Sequence, residues 1–152
     1  MVDASVVGLT LPSTHARVEH ERLERFLDAL GETNPIYRDR AAAEAAGFSD
    51  RPIPPTYLFC LPMLESENPF AILQKLEVDL ARVLHGEQSF AYRAPVHVGD
   101  ALSFTPTIVA VREKKGGALT MIDVATRVVN GRGEEVADLV HVIVVRNDAG
   151  QS

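Results

Sequence analysis

Tyr57-Leu58-Phe59-Cys60-Leu61-Pro62-Met63-Leu64-Glu65 is the stretch whose reading decides the fold. It follows Arg51-Pro-Ile-Pro-Pro-Thr56, whose three prolines cannot lie inside a helix, because each lacks an N–H and clashes with the preceding turn. A helix therefore starts after them. Leu58, Phe59, Leu61, Met63 and Leu64 leave it no polar face, and a helix that is apolar all round is a buried helix. Cys60 lies within this run and reads as a core residue, not as a nucleophile.

Downstream, Asn68–Val83 reads as helical or irregular. From Glu87 onward the apolar period changes from helical to two. Phe90 and Tyr92 alternate with polar neighbours; Leu102, Phe104, Ile108 and Ala110 do the same; Thr120, Ile122, Val124 and Val128 follow; Val136, Val140, Val142 and Val144 complete the set. Lys114-Lys-Gly-Gly117 and Asn130-Gly-Arg-Gly133 supply the positive φ that tight hairpins require. Four strands and two hairpins predict an antiparallel meander, and the apolar helix has no other surface to lie against. A helix wrapped by an antiparallel sheet is the hot-dog arrangement, an α+β fold; a generic α+β sandwich fits the same pattern.

Upstream, a tail of about a dozen residues precedes an extended stretch at Thr14–Val18. Glu19–Leu30 follows, with Leu23, Phe26, Leu27 and Leu30 at helical spacing. Gly31 ends that helix and Asn34-Pro35 starts a turn. Asp39–Ala46 is a short, exposed, alanine-rich helix closed by Gly47.

The chain has 152 residues, 46% hydrophobic and 24% charged, which fits a single domain with a core of its own, spanning 1–152. A net charge of −6 gives no electrostatic footprint for nucleic acid or an anionic membrane surface. One cysteine excludes an internal disulfide and a cysteine-based metal site, so no metal is expected. No apolar run approaches the length of a membrane span, and no basic-then-apolar leader opens the sequence, so a cytoplasmic protein is expected.

Residues 31–37, Gly-Glu-Thr-Asn-Pro-Ile-Tyr, resemble the Gly-Asp-x-Asn-Pro-x-His loop of the MaoC-like hydratases and dehydratases. Ile53-Pro-Pro-Thr-Tyr57 resembles the segment that opens the central helix in the N-terminal-type domains of that family. Leu84-His-Gly-Glu-Gln-Ser-Phe-Ala-Tyr92 and Arg93-Ala-Pro-Val-His-Val-Gly-Asp100 resemble its strand and turn motifs. The matches run in order over most of the chain. The resemblance implies a hot-dog fold and reversible hydration of a 2-enoyl thioester to a 3-hydroxyacyl thioester, with an acyl-CoA or other acyl thioester as substrate. It implies no cofactor other than coenzyme A as part of that substrate, and a place in fatty acid metabolism. It also implies assembly, because one hot dog is half a functional unit: a homodimer, or a heteromer with a catalytic MaoC-like subunit.

Hydration needs a base to activate water, an acid for the α-carbon and a donor for the enolate-like oxygen. By resemblance, Glu32 stands in the place of the family's catalytic Asp and Tyr37 in that of its catalytic His, with Asn34 fixing the turn between them. A carboxylate survives on a longer arm, but a phenol cannot cycle protons near neutral pH as an imidazole does. The oxyanion donor would sit at the start of the central helix, among Pro55, Thr56 and Tyr57; proline has no N–H, so Thr56 or Tyr57 must donate. Thr56 reads equally well as a plain helix cap. A displaced base would come from the other histidines. His85 is the first candidate, placed by strand alternation on one face with Glu87. His97 is expected in an exposed turn, His141 on the face opposite Val140, Val142 and Val144, and His15 and His20 at the surface.

These readings combine into a subunit of an acyl-thioester hydratase or dehydratase that needs a partner for full activity. Two rivals stand beside it: a catalytically silent acyl-binding partner, and a hot-dog acyl-CoA thioesterase, whose motif the heptad does not match. Strand residues 84–92 are expected at a subunit interface.

Overall fold

The computed structural model describes residues 2–147. Five strands form one antiparallel sheet: β1 (Thr14–Arg17), β2 (Val83–Tyr92), β3 (Ala101–Lys114), β4 (Leu119–Asn130) and β5 (Glu135–Arg146). Their order across the sheet is β1-β3-β4-β5-β2. The hairpins fall where glycine was expected to allow them, with Gly116, Gly117 and Gly133 at positive φ. The four-strand meander is corrected in one respect. Only β3, β4 and β5 follow one another; β2 crosses over to pair with β5 and forms an edge, with β1 at the other edge.

Helix α1 (His20–Leu30) starts after Glu19 and stops at Gly31, whose φ of 66° lets its N–H return to the carbonyls of Leu27 and Asp28. Helix α2 (Arg40–Ala45) is capped by the Asp39 carboxylate, which accepts the Ala42 N–H. Helix α3 (Tyr57–Glu65) has the bounds that the proline run and the apolar stretch imply. A shorter helix, α4 (Ala71–Lys75), and a 3₁₀ turn at Leu80–Arg82 lead into β2. The leading residues are not a free tail. A 3₁₀ turn at Ala4–Val6 precedes hydrogen bonds of Gly8 and Leu9 with Ile108 on β3.

The interior is divided. One cluster holds Leu23 and Leu27 of α1, Tyr57, Leu58 and Leu61 of α3, and Phe104, Val128 and Leu139 of the sheet. A second holds Leu73 of α4 against Ile108, Ile122, Val124, Ile143 and Val145. Helix α3 thus lies on the sheet as the hot-dog arrangement requires, but it is not buried all round. Met63 is 44% and Leu64 55% exposed, because the sheet and α1 cover one side of α3 and nothing among the described residues covers the other.

Strand faces depart from simple alternation at three bulges. Gly86 is inserted between His85, opposite Ile143, and Glu87, opposite Val142, so His85 faces the interior while Glu87 faces outward. Val109 likewise turns Ala110 to the outer face, and Val136 is the extra residue between Glu135 and Ala137. On β5 the inner face is Ala137, Leu139, His141, Ile143 and Val145. Val140, Val142 and Val144, expected inward, lie on the outer side, with Leu84 and Glu87 opposite Val144 and Val142 on β2.

Candidate functional site

Loop 31–37 closes on itself. The Glu32 carboxylate accepts the Asn34 N–H at 2.8 Å, and the Asn34 side chain accepts the Ile36 N–H at 3.1 Å. Arg38 donates to the Glu32 carbonyl oxygen from two nitrogens, at 3.1 and 2.8 Å, and reaches Glu24 and Asp28 on α1 at 2.6 and 2.9 Å. That guanidinium straps the loop to the helix. Tyr37 is half-buried and packs on the first core cluster, while Asn34 caps a 3₁₀ turn at Pro35–Tyr37. The carboxylate of Glu32 therefore already has a structural task, and Tyr37 a packing one.

At the start of α3, Pro55 and Thr56 are exposed and Tyr57 is fully buried. The Tyr57 N–H donates to the Pro54 carbonyl at 3.0 Å, so of the two expected donors only Thr56 has an N–H without a partner among the described residues. Thr56 occupies the cap position, but its side chain makes no capping bond. The Tyr92 hydroxyl donates to the Pro55 carbonyl at 2.6 Å, which fastens the end of β2 to this turn. The Tyr57 ring stacks at a tilt on Phe26, 4.7 Å between centroids, and burial pushes its phenol pKa up.

Neither the loop nor the helix start lines the large cavity of the molecule. That cavity, of 720 Å³, runs between the second half of α3, helix α4 and the inner face of the sheet, where the two core clusters part. Phe59, Pro62 and Met63 form its helical wall, and His85, Gln88 and His141 part of its sheet wall. His85 is thus the one expected catalytic residue that reaches this space. Its Nε2 lies 3.0 Å from the Glu87 carbonyl oxygen, so in the neutral ring Nε2 carries the proton and Nδ1 is left as an acceptor. The Phe59 ring stands 4.9 Å from His85 and 6.3 Å from His141, and the two imidazoles are 6.1 Å apart.

His141 and Gln88 are the residues that sequence reasoning missed as cavity residues. Burial, together with the neighbouring His85, lowers the His141 pKa to about 4, so its ring is neutral at physiological pH. Gln88 sits opposite His141 across β2 and β5. Its Nε2 donates to the Ser89 carbonyl, while its Oε1 is buried with no partner. The sequence held one pointer: His141 is polar in a strand whose other inner residues, Ala137, Leu139, Ile143 and Val145, are apolar.

The remaining expectations are mixed. His15 and His20 are at the surface. His97 is not exposed: its side chain is only 15% accessible and sits beside Phe48, because Pro52 and His97 form a bridge that folds the turn inward. Cys60 is half-buried against the first cluster, and burial pushes its thiol up. Among the described residues no three His, Cys, Asp or Glu side chains are grouped to hold a metal ion, and no helix is long and apolar enough to cross a membrane.

A family model described as FAS1-like, dehydratase domain region, matches residues 5–139. The chain belongs to this family. A UPF0336 protein of Streptomyces avermitilis is 35% identical over 146 residues, covering 95% of both chains. Among solved structures, a MaoC-like dehydratase superposes with a TM-score of 0.82 at 23% identity, over 95% of this chain and 43% of that one. The C-terminally truncated HadBC complex of Mycobacterium tuberculosis, a 3R-hydroxyacyl-ACP dehydratase, superposes with a TM-score of 0.78 at 20% identity, over 91% and 96% of the two chains. The fold of this FAS1-like dehydratase region is the hot dog of the MaoC-like dehydratases.

Proposed function

We propose that this FAS1-like dehydratase domain is the acyl-binding subunit of an acyl-thioester hydratase or dehydratase, with the acid–base pair supplied by a second hot-dog subunit. The observation that carries the reading is the separation of two features. A mostly apolar cavity of 720 Å³, within the range of ligand pockets, lies along α3. The loop that would bear the catalytic pair lies outside its lining, with Glu32 engaged by Asn34 and a tyrosine at 37. The HadBC dehydratase, which this fold resembles, is itself a complex, and β2 offers an edge with Leu84 and Tyr92 exposed for a second subunit. In the reaction, water adds its oxygen to the β-carbon of the 2-enoyl thioester and its proton to the α-carbon. This chain holds and orients the acyl group along the second half of α3, and the Thr56 N–H at the start of that helix, outside the cavity and without a partner among the described residues, is the backbone donor left for the developing negative charge.

The test is hydration of crotonyl-CoA and of longer 2-enoyl thioesters. The chain alone should be slower by roughly 10²–10⁴-fold than an assembly with a MaoC-like subunit carrying intact Asp and His, the usual cost of losing one acid–base group. Robust hydration by the unaltered chain would overturn the division of labour. A second reading then follows from the cavity: the His85–His141 pair as the base, detected as loss of that activity in His85→Ala.

A further inference from the structure

We propose that Tyr92 is a positioning residue for the thioester: its hydroxyl holds the peptide unit between Pro55 and Thr56 so that the Thr56 N–H is aimed at the thioester carbonyl oxygen. The inference rests on the reading of this chain as the acyl-binding subunit and adds to it the side chain that sets the backbone donor.

The Pro55 carbonyl and the Thr56 N–H belong to one planar trans peptide, so they point in opposite directions and turn together. Three features limit that turning. The Ile53 N–H donates to the Val96 carbonyl at 2.9 Å, which ties the approach to α3 to the segment after β2. The rings of Pro54 and Pro55 fix their own φ. The Tyr92 hydroxyl, donating to the Pro55 carbonyl at 2.6 Å, then holds the rotation that remains, about the Pro55 Cα–C bond.

This bond runs from sheet to helix. Tyr92 stands near the end of the inner sheet face, opposite Ala137, and its ring stacks on Phe90 at 5.7 Å with 6° between the planes. Phe90 packs in turn on the first core cluster, so the hydroxyl stands on a braced ring. Burial raises the Tyr92 pKa, which keeps the phenol a donor across neutral pH. The bond also acts on the one N–H that a ligand can reach. The Tyr57 N–H is spent on the Pro54 carbonyl, whereas Thr56 is exposed and its N–H is unpaired among the described residues. A carbonyl that accepts a hydrogen bond makes the N–H of its own peptide the stronger donor. Phe59, the first residue of α3 to line the cavity, lies three residues on, about 4.5 Å along the axis. An acyl chain lying along α3 with its thioester toward the N-terminal end reaches this peptide within one helical turn of the cavity.

The experiment binds decanoyl-CoA, carrying carbon-13 at its thioester carbonyl, to the purified full chain and records the carbonyl stretch by isotope-edited infrared spectroscopy. Wild type should lower the stretch relative to the free thioester, as a hydrogen bond to a carbonyl does. Tyr92→Phe keeps the ring and its stacking and removes only the hydroxyl, so decanoyl-CoA should still bind, with most of that shift lost. In an assembly with a MaoC-like subunit carrying intact Asp and His, kcat for crotonyl-CoA should fall about three- to tenfold with KM little changed, the scale of one hydrogen bond. A clasp that merely tied β2 to the turn would lower the thermal midpoint and leave the stretch of the bound thioester as in wild type. An undiminished shift, or an unchanged kcat, in Tyr92→Phe overturns the positioning role. No shift in wild type overturns Thr56 as the donor and Tyr92 with it, and leaves the acyl cavity standing. Failure of wild type to bind decanoyl-CoA overturns the acyl-binding reading and the positioning role together.

Discussion

Replacing His141 by leucine should alter how the protein responds to acid more than how it behaves at neutral pH. The His141 ring is enclosed by Phe59, His85 and the inner sheet face, and its pKa falls from 6.5 to about 4. The folded chain therefore resists protonation at a site that the unfolded chain protonates at its ordinary pKa. Above about pH 6.5 neither state takes up this proton and the native state is undisturbed. As pH falls toward about 4, the unfolded state binds a proton that the native state refuses, and stability is lost. A shift of about 2.5 units corresponds to roughly 3 kcal/mol over the whole window, and to about 2 kcal/mol by pH 5. Neighbouring charges enter the same measurement: His85 faces the ring directly, and Glu65, which also lines the cavity, is paired with Arg22. Comparing wild type with His141→Leu cancels the titrations common to both. Urea unfolding at about pH 7.5 and about pH 5 reads the difference, which is about 1 M in midpoint at the slopes usual for small domains. Leucine should make the chain gain on wild type by that amount as the pH falls. Parallel loss of stability in the two proteins would refute the reasoning and mean that His141 titrates in contact with water.

Gly86→Ala puts a Cβ 2.6 Å from the Val144 Cγ2 and 3.3 Å from the Val142 carbonyl oxygen. Valine is stiff at χ1, so the bulge must shift, at a cost of about 1–3 kcal/mol that a lowered thermal midpoint will show. Arg38→Ala removes the strap between α1 and loop 31–37; amide exchange should rise at residues 32–37 while exchange on β4 stays unchanged. Cys60, half-buried and with its thiol pushed up, should react slowly with a disulfide reagent at neutral pH and rapidly only once urea unfolds the chain, a contrast absorbance will follow.

How far the sequence discloses this molecule depends on the element. The prolines before Tyr57 and the unbroken apolarity after it fixed α3 to its bounds, and Gly31 and Gly47 closed their helices because left-handed backbone suits glycine. The β4 face was legible because Thr120, Ile122, Val124 and Val128 keep a period of two, with Asp123 and Arg127 on the opposite parity. Strand β5 was not. Val140, Val142 and Val144 are as apolar as Leu139, Ile143 and Val145, so alternation could not say which set faces inward, and His141 was read as facing away from the cavity it lines. Gly86 and Val109 each insert a residue that exchanges faces, which no count of two can register. The candidate site divides in the same way. Motif spacing placed Glu32, Tyr37 and Thr56, each within a local turn. The cavity joins α3, α4 and three central strands, and its polar members meet only through pairing between β2 and β5.

The division of the interior into two clusters has a thermodynamic consequence. A domain of this size ordinarily draws cooperativity from one continuous core; here the α1–α3 cluster and the α4 cluster are separated by the space that Phe59 and His141 border. An apolar guest filling that space would complete the interior as a missing side chain would, and would couple the two halves so that they melt together. The melting temperature of this protein would then report its cargo, rising with ligand concentration by mass action, and the empty form would open first at the end covered by α4.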